Sequence, residues 1–235
     1  MGWRVSQKIP TVREVTMNIY INVLQSNHNI QLSKALSYIL RHGAAKEGLQ
    51  MTQGFIFVDD LLRLRQFQRY SEDDVKKVVA ENDKKRFALR NDPATDRLQI
   101  RANQGHTMEV DDLELEPITD HSEAPTVIHG TYRDCWEPIK TQGLSRMSRN
   151  HIHFAPGEPG EEGVISGMRS SCEVVVFIDL KKALSDGFKF YRSSNNVILC
   201  PGNEQGFLPP KYFERVVQIR PSKYNSVFTI ICFDA

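Results

Sequence analysis

Hydrophobic positions become periodic from residue 30 onward. Leu32, Ala35, Leu36, Ile39 and Leu40 recur at the spacing of one helical face, and Gly43 then supplies a stop. Gly54 to Val58 reads as a short extended entry. Asp59 can cap a second short helix carrying Leu61, Leu62 and Leu64. Ser71 and Asp74 have the spacing of a capping box ahead of Val75, Val78 and Val79, which predicts a third helix. Arg86 to Arg90 then alternates, Asn91-Asp92-Pro93 marks a turn, and Arg97 to Arg101 alternates again. Phe87, Leu89, Leu98 and Ile100 take one side of this hairpin. Arg86, Arg90, Arg97 and Arg101 take the other.

Three small helices and a hairpin outline a winged-helix lobe, over residues 29–109. An arginine-lined wing would attract a phosphate backbone, although arginines on an outer hairpin face can simply be solvated. Residues 1–28 carry Arg4, Lys8 and Arg13 against Glu14 and read as an irregular, poorly ordered leader; a transit peptide is the alternative. Residues 110–125 are acidic and aperiodic, as in a linker.

Beyond the linker the pattern changes to short strands. Val127 to Thr131 is one, followed by a helix from Trp136 to Gln142 that ends at Gly143. Arg149 to Phe154, Cys172 to Ile178, Val197 to Cys200 and Arg215 to Ile219 are others. Few helices interrupt them, so residues 126–220 read as a mixed or antiparallel β-rich lobe, with 221–235 as a tail. The fold class is therefore α+β. On a strand from Arg149, alternation puts Arg149, His151 and His153 on one face. A fixed cation beside two imidazoles suits an anionic phosphate; the plain alternative is a half-exposed strand with a wet side.

Composition adds little. Of 235 residues, 40% are hydrophobic and 25% charged, which is ordinary for a globular chain, and the net charge of +1 says less than local patches do. No apolar run approaches the roughly 18 residues needed to span a bilayer, so no membrane partner is expected. Cys135, Cys172, Cys200 and Cys232 form no CxxC pair, so no metal is expected. Without a secretory pattern they read as reduced thiols of the cytosol or nucleus. Met1-Gly2 with Ser6 also fits a loose myristoylation pattern.

Three clusters carry candidate chemistry: Arg41-His42, Lys84-Lys85-Arg86 with the run Arg101 to His106, and Arg149 with His151 and His153. The first alone could be only a helix C-terminus with favourable cations. His129-Gly130-Thr131 raises the His-x-Thr pattern of phosphoesterases that open cyclic phosphates, but His151-Ile152-His153 lacks the second hydroxyl. A metal held by His151 and His153 lacks an evident third ligand.

Taken in order, the segments Leu32 to Ala44, Lys85-Arg86-Phe87, Ile100 to His106, Val127 to Thr131, Ser148 to His153, Ile165 to Arg169 and Val197 to Gly202 resemble the RNA 2′-phosphotransferases, which finish tRNA splicing in fungi and plants. The resemblance implies a winged-helix lobe followed by an ADP-ribosyltransferase-like lobe, acting as a monomer on tRNA or another RNA with NAD as co-substrate and no metal. It implies that the RNA 2′-phosphate attacks C1″ of the NAD ribose and nicotinamide leaves, giving 2′-phospho-ADP-ribosylated RNA. The 2″-hydroxyl then attacks phosphorus, giving RNA with a free 2′-hydroxyl and ADP-ribose 1″,2″-cyclic phosphate.

Carried over by position, Arg41, His42, Arg86 and Arg149 match the family's catalytic set. Arginine forks hold phosphate oxygens and stay charged. His129, Gly130, Thr131, His151, His153, Ser166 and Arg169 fall on the NAD side. Lys84, Lys85 and Arg101 fall on the RNA side. Many protein-modifying ADP-ribosyltransferases place a glutamate on a late strand, whereas Val197 to Cys200 has no carboxylate. A 2′-phosphate is already anionic and needs no base to attack. Two other readings stay open: an ADP-ribosyltransferase that caps terminal phosphates of nucleic acids, and a non-catalytic winged-helix nucleic-acid binding protein.

Overall fold

A computed structural model describes residues 12–107, 115–158, 161, 164, 167–168, 171–219 and 228–231. Helix α1 runs over Val12–Tyr38. The stretch read as an irregular leader is therefore helical from Val12 onward, continuous with the periodic segment that buries Leu32 and Leu36. Its described upstream side chains Tyr20 and Val23 are exposed, so no apolar stripe announces it. From Ile39 to Gly43 the chain widens into a π-turn, closed by the Ala44 amide donating to the Ile39 carbonyl at 3.0 Å. The extra residue per turn re-aims Arg41 and His42 while Ile39 and Leu40 stay buried.

Strand β1 (Ile56–Phe57) leads into helix α2 (Val58–Leu62), which starts one residue before the expected cap at Asp59. Helix α3 (Glu72–Ala80) has the expected box: the Ser71 hydroxyl accepts from the Asp74 amide and the Asp74 carboxylate accepts from the Ser71 amide. Strands β2 (Phe87–Asn91) and β3 (Leu98–Ala102) pair antiparallel, and β1 adds to the far side of β3. Leu89 faces Ile100 across this hairpin, in the register the alternation predicts.

The arginine side of the hairpin departs from expectation. Two aromatics, Phe55 just before β1 and Phe57 within it, pack against it. Arg90 and Arg101 lie over the Phe55 ring and Arg97 over Phe57, with centroid distances of 3.8, 4.7 and 3.9 Å. Arg97 is also held by Asp59 at 2.6 Å and Asp60 at 3.1 Å. Arg101 is only 4% exposed, so it is a packing residue and not a free RNA contact.

The rest of the chain builds antiparallel sheets. In chain order the elements are β4 (Glu116–Ile118), β5 (Ile128–Thr131), α4 (Trp136–Gln142), β6 (Leu144–Ser145), β7 (Ile152–Phe154), β8 (Val174–Ile178) and α5 (Leu180–Ser185). They continue with β9 (Phe190–Arg192), β10 (Ile198–Cys200), β11 (Phe207–Leu208), β12 (Phe213–Ile219) and β13 (Phe228–Ile231). One sheet has the order β4-β9-β10-β7, a second β13-β12-β8-β5, and β11 pairs with β6. Reciprocal bonds between the Ile128 and Ala155 backbones, at 3.0 and 2.9 Å, join the two larger sheets.

Strand β8 is buried along its whole length because both faces are packed. Val174, Val176 and Ile178 meet Phe154, Phe190 and Ile198 on one side, while Val175 and Phe177 meet Ile128 and Val217 on the other. Two expectations change here. The second half of the expected linker belongs to this lobe as β4, which pairs with β9. Part of the expected tail is β13, which extends the sheet beside β12. The molecule is α+β.

Candidate active site

Arg41 enters the site from the π-turn, Arg86 from the lead-in to β2, and Arg149 from the turn between β6 and β7. Arg149 is thus not on the strand the alternation proposed; β7 begins only at Ile152. Its turn is nevertheless pinned. Arg146 Nη1 donates to the Arg149 carbonyl at 2.7 Å, and the Arg146 amide donates to Gly206 at 2.9 Å. All three arginines line one cavity of about 930 Å³, together with His129, Gly130, Thr131, His151 and His153.

No carboxylate pairs with Arg41, Arg86 or Arg149 among the described residues. Burial, followed by the neighbouring charges of Arg149 and Arg86, pushes the Arg41 guanidinium down to about 10. Its Nε and Nη2 are buried without a hydrogen-bond partner among the described residues. Gly105, with φ +88°, leaves the space beside this group; a β-carbon there would sit 3.4 Å from Arg41 Nε. Like charges held together and left unpaired suit an anion that bridges them.

The histidines are neutral by construction. His129 Nδ1 lies 2.9 Å from the His153 carbonyl; a carbonyl only accepts, so Nδ1 carries the proton and Nε2 is left as an acceptor. Burial lowers the His129 pKa. His153 is pushed down to about 3 by burial, then by Arg149 and His151, and its Nε2 has no partner among the described residues. Burial and Arg146 lower His151, whose ring packs edge-on to Tyr191 at 6.1 Å. His42 is lowered by burial, Arg41 and Arg149. Its Nδ1 lies 3.0 Å from the Thr107 hydroxyl, which itself donates to the Arg41 carbonyl at 3.3 Å, so His42 donates from Nδ1.

Other expected residues divide. Lys84 lines the cavity with Arg86. Lys85 is exposed outside the lining, with its carbonyl held by Asn103 Nδ2 at 2.7 Å. His42 stands beside Arg41 and is likewise not a lining residue. Ser166 and Arg169 lie outside the described residues. Sequence reasoning singles out the run that holds Gln104 and His106 but gives neither a role; both are buried, and the pinning role of Arg146 is likewise unassigned there. The polar run Arg101 to His106 directly after a strand was the available signal; its burial was not. His106 lies between the end of β3 and the turn that carries Arg149. Its carbonyl accepts from the Asn150 amide at 3.1 Å, one link from the Arg149 turn, and Asn195 Nδ2 donates to the Lys84 carbonyl at 3.1 Å.

Comparison with known proteins supplies what geometry alone does not. Residues 27–202 match the family model described as RNA 2′-phosphotransferase, Tpt1 / KptA family. The chain belongs to the RNA 2′-phosphotransferase family. It is 54% identical over 200 residues to tRNA 2′-phosphotransferase 1 of Danio rerio, covering 84% of this chain and 89% of that one. Against tRNA 2′-phosphotransferase 1 of Homo sapiens it is 53% identical over 202 residues, covering 85% and 79%. Against tRNA 2′-phosphotransferase of Saccharomyces cerevisiae it is 40% identical over 205 residues, covering 83% and 86%. As a family member this protein is a transferase. The matched range includes the three arginines, all the cavity histidines, and Ser166 and Arg169. Among the described residues no group of three metal-binding side chains occurs, and no helix is long and apolar enough to cross a membrane.

Proposed function

We propose that this enzyme removes the 2′-phosphate left on RNA by tRNA splicing and transfers it to NAD. The observation that carries the proposal is the convergence of Arg41, Arg86 and Arg149 on one cavity with no paired carboxylate among the described residues. A 2′-phosphate bound there relieves the mutual repulsion of the guanidiniums, and its own repulsion from the NAD diphosphate is offset in turn. The cavity volume lies within the range typical of ligand sites.

In this reading the first lobe is a winged helix and the second an ADP-ribosyltransferase lobe. Support comes from three helices beside a three-stranded sheet in one, and from joined antiparallel sheets flanking His129 and His153 in the other. The histidine wall, with Gly130 and Thr131, takes the NAD ribose. Neutral imidazoles there can exchange hydrogen bonds with hydroxyls without adding charge. Ser166 and Arg169 are assigned to the same side from the family motif. The arginines orient a phosphate oxygen toward C1″; the bond to nicotinamide breaks as the new C–O bond forms. In the second step they stabilise charge on phosphorus while the 2″-oxygen bonds to it and the RNA 2′-oxygen leaves. His42 Nε2, left as an acceptor by the Nδ1–H bond to Thr107, takes the proton of the 2″-hydroxyl and passes it to the departing RNA 2′-oxygen. The enzyme acts as a monomer in the cytosol or nucleus.

Incubation with NAD and an RNA carrying one internal 2′-phosphate tests this. ADP-ribose 1″,2″-cyclic phosphate and dephosphorylated RNA are the expected products. Absence of the cyclic product, with accumulation of ADP-ribosylated RNA ends, would shift the assignment to terminal-phosphate modification.

A further inference from the structure

A second cavity, of about 840 Å³, lies between α1, α3 and the lead-in to β2. It shares Lys84 and Arg86 with the cavity that holds the three arginines, so the two meet at the proposed phosphate site. One wall is the face of α1 turned away from the core residues Leu32 and Leu36. Along it, Ser26, Asn29, Ser33 and Ser37 recur at intervals of three or four. Beside the longer Gln25, Ile30 and Lys34, these four short polar side chains let a partner approach the helix closely along their row. Lys34 on α1 and Lys77 on α3 stand along the same groove.

The lining holds four cations, Lys34, Lys77, Lys84 and Arg86, against the carboxylates Glu81 and Asp83. Four minus two leaves a balance of +2. Asn29 Nδ2 donates to the Glu81 carboxylate at 3.0 Å, a bond between two lining residues that occupies part of that carboxylate. No aromatic side chain lines the groove. Cations with hydroxyl and amide groups, and no stacking surface, suit phosphates and ribose hydroxyls and do not read bases. From Ser26 to Ser37 the helix rises about 17 Å. That matches about five nucleotides at the roughly 3.4 Å rise of a stacked strand.

We propose that this groove holds the sugar-phosphate backbone of the RNA flanking the 2′-phosphate, a proposal that rests on the activity assigned above. The RNA reaches the arginines from the α1–α3 side, and NAD occupies the other cavity. Recognition along the groove is independent of base sequence and favours ribose over deoxyribose.

The test compares two substrates: a dinucleotide with the 2′-phosphate at its junction, and a longer RNA that extends past the groove on both sides. Lys34→Glu combined with Lys77→Glu is expected to raise KM for the longer RNA roughly tenfold or more, with kcat unchanged and both constants for the dinucleotide unchanged. Binding of the same RNA without its 2′-phosphate, followed by fluorescence anisotropy, should show a salt slope lower by about 2. Ser33→Glu, which changes the wall without removing a lysine, should act in the same direction. Unchanged KM on the longer RNA, or equal losses on both substrates, would overturn the proposal. If the wild type turns over neither substrate, the assigned activity fails, while the anisotropy measurement still decides the groove.

Discussion

Arg149 is exposed and Arg41 is half-buried, and this separates two kinds of arginine variant. Arg149→Ala removes the proposed phosphate contact but little packing. Turnover should fall by roughly 100-fold or more while the melting temperature stays within about a degree of wild type. Steady-state kinetics with thermal denaturation would check both halves. Arg41→Met keeps the stem and deletes a charge held well below its usual pKa by burial and by two neighbouring guanidiniums. Here activity should also be lost, but the melting temperature should rise by a few degrees, because repulsion disappears with the charge. A drop in melting temperature would mean that Arg41 has favourable partners and is not held in an unfavourable field. Residue chemistry was legible in the sequence to this extent: Arg41, Arg86 and Arg149 were chosen by type and motif, and all three line the cavity. Alternation puts Arg101 on the correct side of the hairpin, but it cannot tell that the Phe55 ring lies over it and that the residue is buried.

Elements with local determinants were readable, and elements with distant ones were not. The Ser71–Asp74 box and the end of α4 at Gly143 depend on side chains within a few positions, and both stand as expected. The β2–β3 register likewise follows from alternation around one turn. By contrast, β4 is short and is defined by a partner far along the chain, β9, while β13 is a four-residue strand that only its pairing with the neighbouring β12 defines. The upstream part of α1 carries no apolar stripe among its described side chains to betray it. Two substitutions probe the local determinants. Ser71→Ala should destabilise by about 1 kcal/mol without changing turnover, since Ser71 lines neither cavity. Gly143→Ala should cost more, because its φ of +98° strains an alanine and the added carbon would overlap the Leu208 carbonyl that β11 brings against β6. Denaturant midpoints would rank the two; a Gly143→Ala protein as stable as Ser71→Ala would contradict the close packing of β6 and β11.

At the scale of the whole molecule, His106 makes the junction between the end of β3 and the Arg149 turn sensitive to acid. It is 2% exposed, and its two ring nitrogens lack a hydrogen-bond partner among the described residues. Burial pushes it down to about 4, and the neighbouring Arg41, His42, Arg101 and His151 act in the same direction. In the unfolded chain it titrates near 6.5. Above that pH neither state binds the proton and the full stability is present. As pH falls below 6.5 the unfolded chain takes up the proton first, so stability declines until about pH 4, by at most about 3 kcal/mol from this residue. His153, pushed down to about 3, adds to the same loss and extends it further into acid. The denaturant midpoint should therefore fall steadily from pH 6.5 toward pH 4. His106→Gln, which cannot take up a proton, should flatten that slope while leaving the pH 7 fold intact, as judged by circular dichroism. Because the Asn150 amide is bonded to the His106 carbonyl and Asn150 adjoins Arg149, acid should loosen the arginine site together with this junction. Substrate affinity in the wild type would then drop over the same pH range, and the drop should be shallower in His106→Gln. A variant with an unchanged slope would place the acid sensitivity elsewhere, in the wall formed by His129, His151 and His153.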